Sequence, residues 1–198
     1  MDTTDPIVLE LYCQAAGRKL EPGLVQGIIS LQRGWQASRI TAKPEEGFLA
    51  TAFEVSEVLA LYEDGGAFFI IRRSNEVVGF ALTTSIGKFV EQYDAPAGGQ
   101  LRLAEPLDLT KFVYLYQVVI QKGEQQRGLG TRLMEHVQRY HTQPLLADIL
   151  SSPIPNIGSS LFFARLGFRK VGELNLSNYR DYGPLTSEVL VNTAKESS

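Results

Sequence analysis

In this 198-residue chain, Gln125-Gln126-Arg127-Gly128-Leu129-Gly130-Thr131 is the stretch whose residue types and spacing best suit chemistry. A long apolar segment precedes it and an amphipathic one follows. It therefore reads as a glycine-bearing turn from a strand into the first turn of a helix. Backbone N–H groups at such a turn lack intrahelical partners and point together, with the positive end of the helix dipole behind them. That cradle suits a phosphate or pyrophosphate. Glycine lets the main chain approach an anion with no Cβ in the way. From position 122 to 139, four basic residues (Lys122, Arg127, Arg132, Arg139) outnumber two acidic ones (Glu124, Glu135), a local net of +2 in a chain of −3. Plain turn geometry accounts for the same glycines, and on these residues alone both readings stand. Two other phosphate motifs are excluded. The Gly-Lys-Ser/Thr ending of a P-loop is missing. Leu133 stands where a dinucleotide fingerprint needs its third glycine.

The elements that must position this loop can be read on both sides of it. Phe112 to Gln121 is apolar on alternating and intervening positions alike, as in a strand covered on both faces. After the loop, Leu129, Leu133, Val137 and Tyr140 form the buried stripe of a helix. Residues 144–150 read as a further strand. Asn156 is placed to cap a helix running to Leu166, with Gly167 at its C′ position. Residues 168–174 and 188–191 supply two last strands. Upstream, Ile7 to Tyr12 is a short strand or the start of a helix. Residues 23–38 form a helix by the spacing of Leu24, Ile28, Leu31 and Trp35, stopped by Pro44. Residues 51–62 form a second helix with Phe53, Val58 and Leu61 inward. Residues 67–71 and 77–82 flank a polar turn at 73–76 and make a hairpin. Residues 86–109, with Pro96, Gly98, Gly99 and Pro106, read as one long irregular segment, a lid, a substrate-binding loop or plain disorder. The expected fold class is α/β, a central mixed sheet with helices on both faces.

Composition narrows the function. Hydrophobic residues at 44% and charged residues at 21% are ordinary for a globular chain that buries a core. The excess of acid over base, 22 to 19, argues against a nucleic-acid partner. The one cysteine, Cys13, excludes a disulfide framework and a Cys-based zinc site. His136 and His141, five apart, do not share a helix face, so no metal is expected. The acidic start, Met1-Asp2-Thr3-Thr4-Asp5, carries no secretory or mitochondrial address, and no run reaches the roughly 18–20 apolar residues of a membrane span. A cytoplasmic single domain over 1–192, with its motif-bearing core at about 67–174 and a polar tail at 193–198, is the expectation.

Gln125-x-x-Gly128-x-Gly130 after a long apolar strand resembles motif A of the GNAT acetyltransferase superfamily, Q/R-x-x-G-x-G/A. Asn156-x-x-Ser159-x-x-Phe162-Phe163-x-x-Leu166-Gly167-Phe168 resembles that family's second stretch, N-x-x-S-x-x-F-Y-x-x-L-G-F, with every gap at the right length. Val78-Gly79-Phe80-Ala81 is similar to its V-x-G-F/Y stretch. The resemblance spans about residues 67–174.

It implies a GNAT-like fold in which acetyl-CoA lies where two parallel strands part, here the strand ending at Gln121 and the one starting near Leu145. It places the pantetheine arm on the backbone of Val118 and Ile120 and the pyrophosphate on the amides of Gln126, Arg127, Gly128, Leu129, Gly130 and Thr131, with Gln125 opening the motif. Asn156 is expected near the pantetheine or as a simple helix cap, and Ser159 has the same two readings. Phe162, Leu166 and Phe168 read as core. Phe163 stands where the family commonly has the tyrosine that protonates the departing sulfur, and it cannot donate. A thiol with a pKa of roughly 8.5 leaves tolerably as thiolate, and the hydroxyls of Ser159, Ser160 or Tyr116 could stand in. For the base, the mid-strand glutamate of many relatives is replaced by Tyr114-Leu115-Tyr116-Gln117. Glu124, Asp148 or a water wire to a distant carboxylate remain. A backbone N–H near Val118 or Val119 is expected to hold the oxyanion, and no acyl-enzyme is expected.

The function implied is N-acetyl transfer from acetyl-CoA to a primary amine by direct attack. The alternative is a CoA-binding regulatory module that has lost turnover at Phe163, and a third option is a loop that is architecture only. The acceptor, small molecule or peptide, stays open, with Trp35, Tyr93 and Tyr179 as pocket aromatics or packing. A homodimer is common in the resembled family. Neither nucleic acid nor a membrane is expected as a partner.

Overall fold

The computed structural model describes residues 6–38, 40–94, 98–179 and 182–192, and of residues 93 and 94 the main chain only. The acidic start and the polar tail read from the sequence lie outside these residues, as does the Tyr93 side chain. The elements are β1 (Ile7–Tyr12), α1 (Pro22–Trp35), α2 (Val55–Glu63), β2 (Ala67–Arg73), β3 (Glu76–Ser85), α3 (Gly87–Asp94), β4 (Gln100–Leu103), β5 (Val113–Ile120), α4 (Leu129–Tyr140), β6 (Leu145–Ser152), α5 (Ile157–Arg165), β7 (Arg169–Tyr179) and β8 (Gly183–Asn192), with two short 3₁₀ turns. Eight strands form one mixed sheet, parallel between β5 and β6 and antiparallel in the other ladders described.

The chain divides into two compact units, each assembled from three separate segments. The first unit takes Met1–Trp35, Ala52–Thr84 and Leu115–His141. Its strand order is β1-β2-β3-β5. Pro22 opens α1, where its missing N–H costs nothing, and Leu24, Val25, Ile28, Ile29, Leu31 and Trp35 are buried along one side. The helix stops at Trp35, nine residues before the proline expected to end it. Gln36 leaves it to bridge Leu49, and the Ala37 N–H donates to the Leu49 carbonyl. Phe53 is buried but lies ahead of α2, its N–H given to Gln32 Oε1 at 2.5 Å. Glu54 and Glu57 then close a capping box. On α4 the buried stripe is Leu129, Leu133, Met134 and Val137. Tyr140, expected inside, is 41% exposed. It instead lays its ring edge-on to Phe69.

The second unit takes Gln36–Thr51, Ser85–Tyr114 and Thr142–Ser198, with strand order β5-β6-β8-β7-β4. β5 enters both lists because Val113 and Tyr114 belong here and the rest of the strand to the first unit. The segment read as irregular, 86–109, holds α3 and β4. β4 pairs with β7 from Gln100↔Asn175 to Leu103↔Gly172. That partner lies some seventy residues on, so no local pattern announced it. Asn156 caps α5 by accepting from the Ser159 N–H at 3.3 Å, and Gly167 closes the helix at φ +80°.

Candidate active site

In the first unit, β5 runs through residues 121–128 into α4. Main-chain φ is positive at Gly123 (+89°), Gln126 (+60°) and Gly128 (+75°). Such alternation turns successive N–H groups toward one concave face, an anion-binding nest. Gln126 is strained there, since side chains with a Cβ avoid this region. Gly128 is required by its φ rather than by crowding, because a Cβ built on it meets nothing within 4 Å. The first intrahelical bond of α4 runs from the Arg132 N–H to the Gly128 carbonyl at 3.0 Å. Residues 125–126 form a turn, and the N–H groups of Leu129, Gly130 and Thr131 in the first turn of α4 precede its first intrahelical bond and receive no side-chain cap from Gly128.

Glu124 sets the mouth of this loop. Its carboxylate accepts from both terminal nitrogens of Arg73 on β2 and from Arg127 at 3.4 Å. The side chains of Arg73 and Glu124 are only 11% and 14% exposed. The oxygens of Glu124 are thus engaged in fastening the loop to the hairpin. On β5, Val119 is buried while Val118 and Ile120 are half-buried. The Ile120 carbonyl accepts from the Trp35 indole at 2.7 Å, and Lys122 lies over that indole, 4.8 Å from its centre. Trp35, Gly27 and Lys122 border a pocket of about 510 Å³ against the hairpin turn at Asn75 and Glu76. Tyr116 meets Phe53 edge-on at 5.2 Å.

The second unit holds a different constellation. The parallel ladder of β5 with β6 consists of Val113↔Leu145 and Tyr114↔Leu146, with no further pair among the described residues. Two positions along β6 from that last pair, Asp148 accepts from the Tyr114 hydroxyl at 2.5 Å. Gln92 Nε2, from α3, donates to the same hydroxyl at 2.8 Å. Burial pushes the Asp148 carboxyl above the usual carboxylate range, opposed by hydrogen bonds from Tyr114 and from Ser187 on β8. Tyr114 and Ser187 are themselves buried. A carboxyl raised by burial accepts a proton more readily than a surface carboxylate does.

At the start of α5, Asn156 is buried and gives its Nδ2–H to the Phe48 carbonyl at 2.8 Å while capping the helix. The Gly158 N–H donates to the Pro44 carbonyl at 2.8 Å. A Cβ on Gly158 would lie 2.6 Å from the Gly47 nitrogen and 2.7 Å from the Glu45 carbonyl, so residues 44–48 are seated hard against this helix end. Ser159 Oγ lies 3.4 Å from where a Cβ on Gly47 would stand. Phe163 is buried, edge-on to Phe162 at 5.4 Å and to Phe168 at 4.9 Å. Tyr179 gives or takes a 2.7 Å hydrogen bond with Thr51.

Residues 31–168 match the profile of the family described as Acetyltransferase (GNAT) family. The chain belongs to the GNAT acetyltransferase family. Solved GNAT-fold structures align over almost its whole length. They include the ribosomal-protein-S18-alanine N-acetyltransferase of Escherichia coli, at 13% identity and TM-score 0.60, covering 96% of this chain and 97% of that one. Arabidopsis thaliana NAA60 in complex with a bisubstrate analogue aligns at 13% identity and TM-score 0.61, covering 96% and 100%. Arabidopsis thaliana Naa50 with the bisubstrate analogue CoA-Ac-MVNAL aligns at 12% and 0.56, covering 93% and 98%. At such identities the likeness is one of fold. No curated protein matches the sequence.

This GNAT chain is therefore an acyltransferase, of a family whose acyl donor is acetyl-CoA. The residues present fit that donor: positive φ at Gln126 and Gly128 shapes a nest, and the uncapped first-turn N–H groups of α4 at 129–131 are suited to a pyrophosphate. Among the described residues no group of three His, Cys, Asp or Glu side chains could hold a metal, and no helix is long and apolar enough to cross a membrane. His136 and His141 pack against the same aromatic ring. Both rings are half-buried and edge-on to Phe69, and His141 Nε2 bonds Thr83 Oγ1 at 2.9 Å. Sequence reasoning missed Tyr114, Gln92 and Ser187. Only the inward-facing phenol one position past the start of β5 could have flagged Tyr114. Gln92 lies in the segment read as irregular and carried no signal.

Proposed function

We propose that this GNAT protein is an N-acetyltransferase acting on a primary amine. The observation that carries the reading is the nest shaped by positive φ at Gln126 and Gly128 together with the uncapped first-turn N–H groups at 129–131 of α4. Bound acetyl-CoA would supply an acetyl group already activated as a thioester. The amides of Gln126, Arg127, Gly128, Leu129, Gly130 and Thr131 would hold its pyrophosphate, after Gln125, with Arg127 adding charge. The backbone of Val118 and the Ile120 N–H would meet the pantetheine, the Ile120 carbonyl being held by the Trp35 indole, and an N–H near Val118 or Val119 would meet the thioester oxygen.

Of the acid–base candidates, Asp148 has the environment a proton acceptor needs. A lysine amine, with a pKa of ~10.4, is almost wholly protonated at neutral pH, whereas an α-amine, at ~7.7, is partly neutral. Asp148 would take the proton that the amine gives up on acetylation. Glu124 keeps the loop in place, and Tyr116 or Ser159 serves as a hydroxyl donor to the leaving sulfur. Asn156 and Gly158 anchor residues 44–48 to α5, and Asn156 and Ser159 would in addition contact the donor.

Protein N-termini are a reasonable acceptor class to try first, since the analogue bound to Naa50 joins CoA to a peptide. The competing reading, a CoA-binding module without turnover, draws on Phe163, which offers no proton. Calorimetric titration of acetyl-CoA and free CoA into the wild type and Gly128→Val, followed by a thiol-release screen of amines and peptides, separates them. Micromolar binding lost in the variant, with thiol release on some amine, is expected. Binding without release on any amine would favour the module, and no binding would sink both.

A further inference from the structure

We propose that Gln92 is a positioning residue for the proton acceptor: by donating to the Tyr114 oxygen it aims the single hydroxyl hydrogen of Tyr114 at Asp148. The proposal rests on the reading that Asp148 takes the amine proton. A phenol oxygen has one hydrogen to give. With Gln92 Nε2–H directed into that oxygen at 2.8 Å, the hydroxyl hydrogen is left to bridge the 2.5 Å to Asp148 Oδ1. The donors then run in one direction, from Gln92 through Tyr114 to the carboxylate, and each polarises the next. Ser187 meets the carboxyl from β8.

The helix that carries Gln92 is built to hold this arrangement. Phe89 and Gln92 are three residues apart on α3 and so share a face. Phe89 is fully buried, its ring tilted against Tyr114 at 5.4 Å, and fixes the phenol ring while Gln92 fixes its hydroxyl. Both the Phe89 and Val90 N–H groups donate to the Ile86 carbonyl, which pins the start of α3.

Among the described residues, the charged groups of α3 and β8 are engaged elsewhere. On α3, Lys88 pairs with Glu91 at 3.4 Å, and on β8, Glu188 pairs with Lys170 at 3.0 Å. On β5, Tyr116 is the other phenol on the Tyr114 side of the strand and packs edge-on to Phe53. β6 offers no second titratable side chain from Leu145 to Ser152.

The test uses the full chain and two readouts. Carbon NMR of labelled aspartate carboxyls, with Asp148 assigned by its loss in Asp148→Asn, gives the titration midpoint in the free protein. The acid limb of the kcat/KM profile on an active amine gives the second. Tyr114→Phe removes a bond that favours the carboxylate and should raise the midpoint by ~0.5–1 pH unit. Gln92→Leu, which leaves the hydroxyl unaimed, should raise it by less. Gln92→Glu, nearly the same shape, competes for the hydroxyl hydrogen and adds a like charge, so its shift should equal or exceed that of Tyr114→Phe. The acid limb should move in the same order while acetyl-CoA affinity holds. Midpoints of both Gln92 variants at the wild-type value would overturn the proposal, whatever Tyr114→Phe does. Midpoints that move while the acid limb stays would leave the positioning role standing and remove Asp148 as acceptor of the amine proton.

Discussion

Asp148 and His141 are both titratable groups pushed by burial toward their neutral forms, with different consequences. For Asp148 the consequence is catalytic. Asp148→Asn keeps the shape and the bond from Tyr114 but cannot take a proton. We expect kcat to fall ~10²–10⁴-fold, the usual worth of a positioned base, with acetyl-CoA affinity unchanged by calorimetry. For His141 the consequence is stability. Burial lowers its pKa to about 4 from 6.5. A base depressed in the folded state resists protonation that the unfolded chain accepts. Its contribution is therefore complete above pH 6.5 and is lost as pH falls toward 4. The ring is only half-buried, so solvent screening holds the loss to about 1–2 kcal/mol. His136 shifts the same way, through burial and then Arg139. Urea midpoints at pH 7 and pH 4.5 should show a smaller difference in His141→Asn than in the wild type. Asp148 was legible as a candidate because carboxylates are few on these strands. Its partners were not, because a hydrogen bond between residues thirty-four apart leaves no trace in local pattern.

At the scale of elements, the turn from β5 into α4 is where sequence and structure agree most closely, since glycine spacing and helix start are local properties. What fastens it is not local. Glu124→Gln would leave the part-buried Arg73 without its partner's charge, and stability should fall by less than the about 3–5 kcal/mol typical of fully buried pairs. If Glu124 only fastens the loop, acetyl-CoA affinity should fall more than kcat. A base lost at this position would do the reverse. The start of α5 makes the same point. Its cap at Asn156 and stop at Gly167 were readable, but the seat it gives to residues 44–48 was not. Gly158→Ala would drive a Cβ into the main chain at Gly47 and Glu45. Overpacking of this kind costs ~1–3 kcal/mol, to be read as a lower thermal midpoint. α3 and β4 escaped detection because β4 is four residues long and finds its partner only in β7.

For the whole molecule, each compact unit draws on three separated segments, so no single cut divides the chain into its two units. A chain ended after His141 keeps residues 36–51 and 85–114 but deprives Val113 and Tyr114 of Leu145 and Leu146, and β4 of β7. We expect such a fragment to lose the sharp thermal transition of the full chain and to aggregate through those uncovered apolar strands, as calorimetry and light scattering would show. By itself the sequence determined the family, through two motifs with their gaps intact, and most strands and helices, because periodicity, capping and turn chemistry act over a few residues. Only the tertiary structure decided which carboxylate stands with a tyrosine and which is tied to arginines, and that 86–109 is built rather than irregular. Those outcomes depend on burial and on partners brought together across the chain, and neither is a property of neighbouring residues.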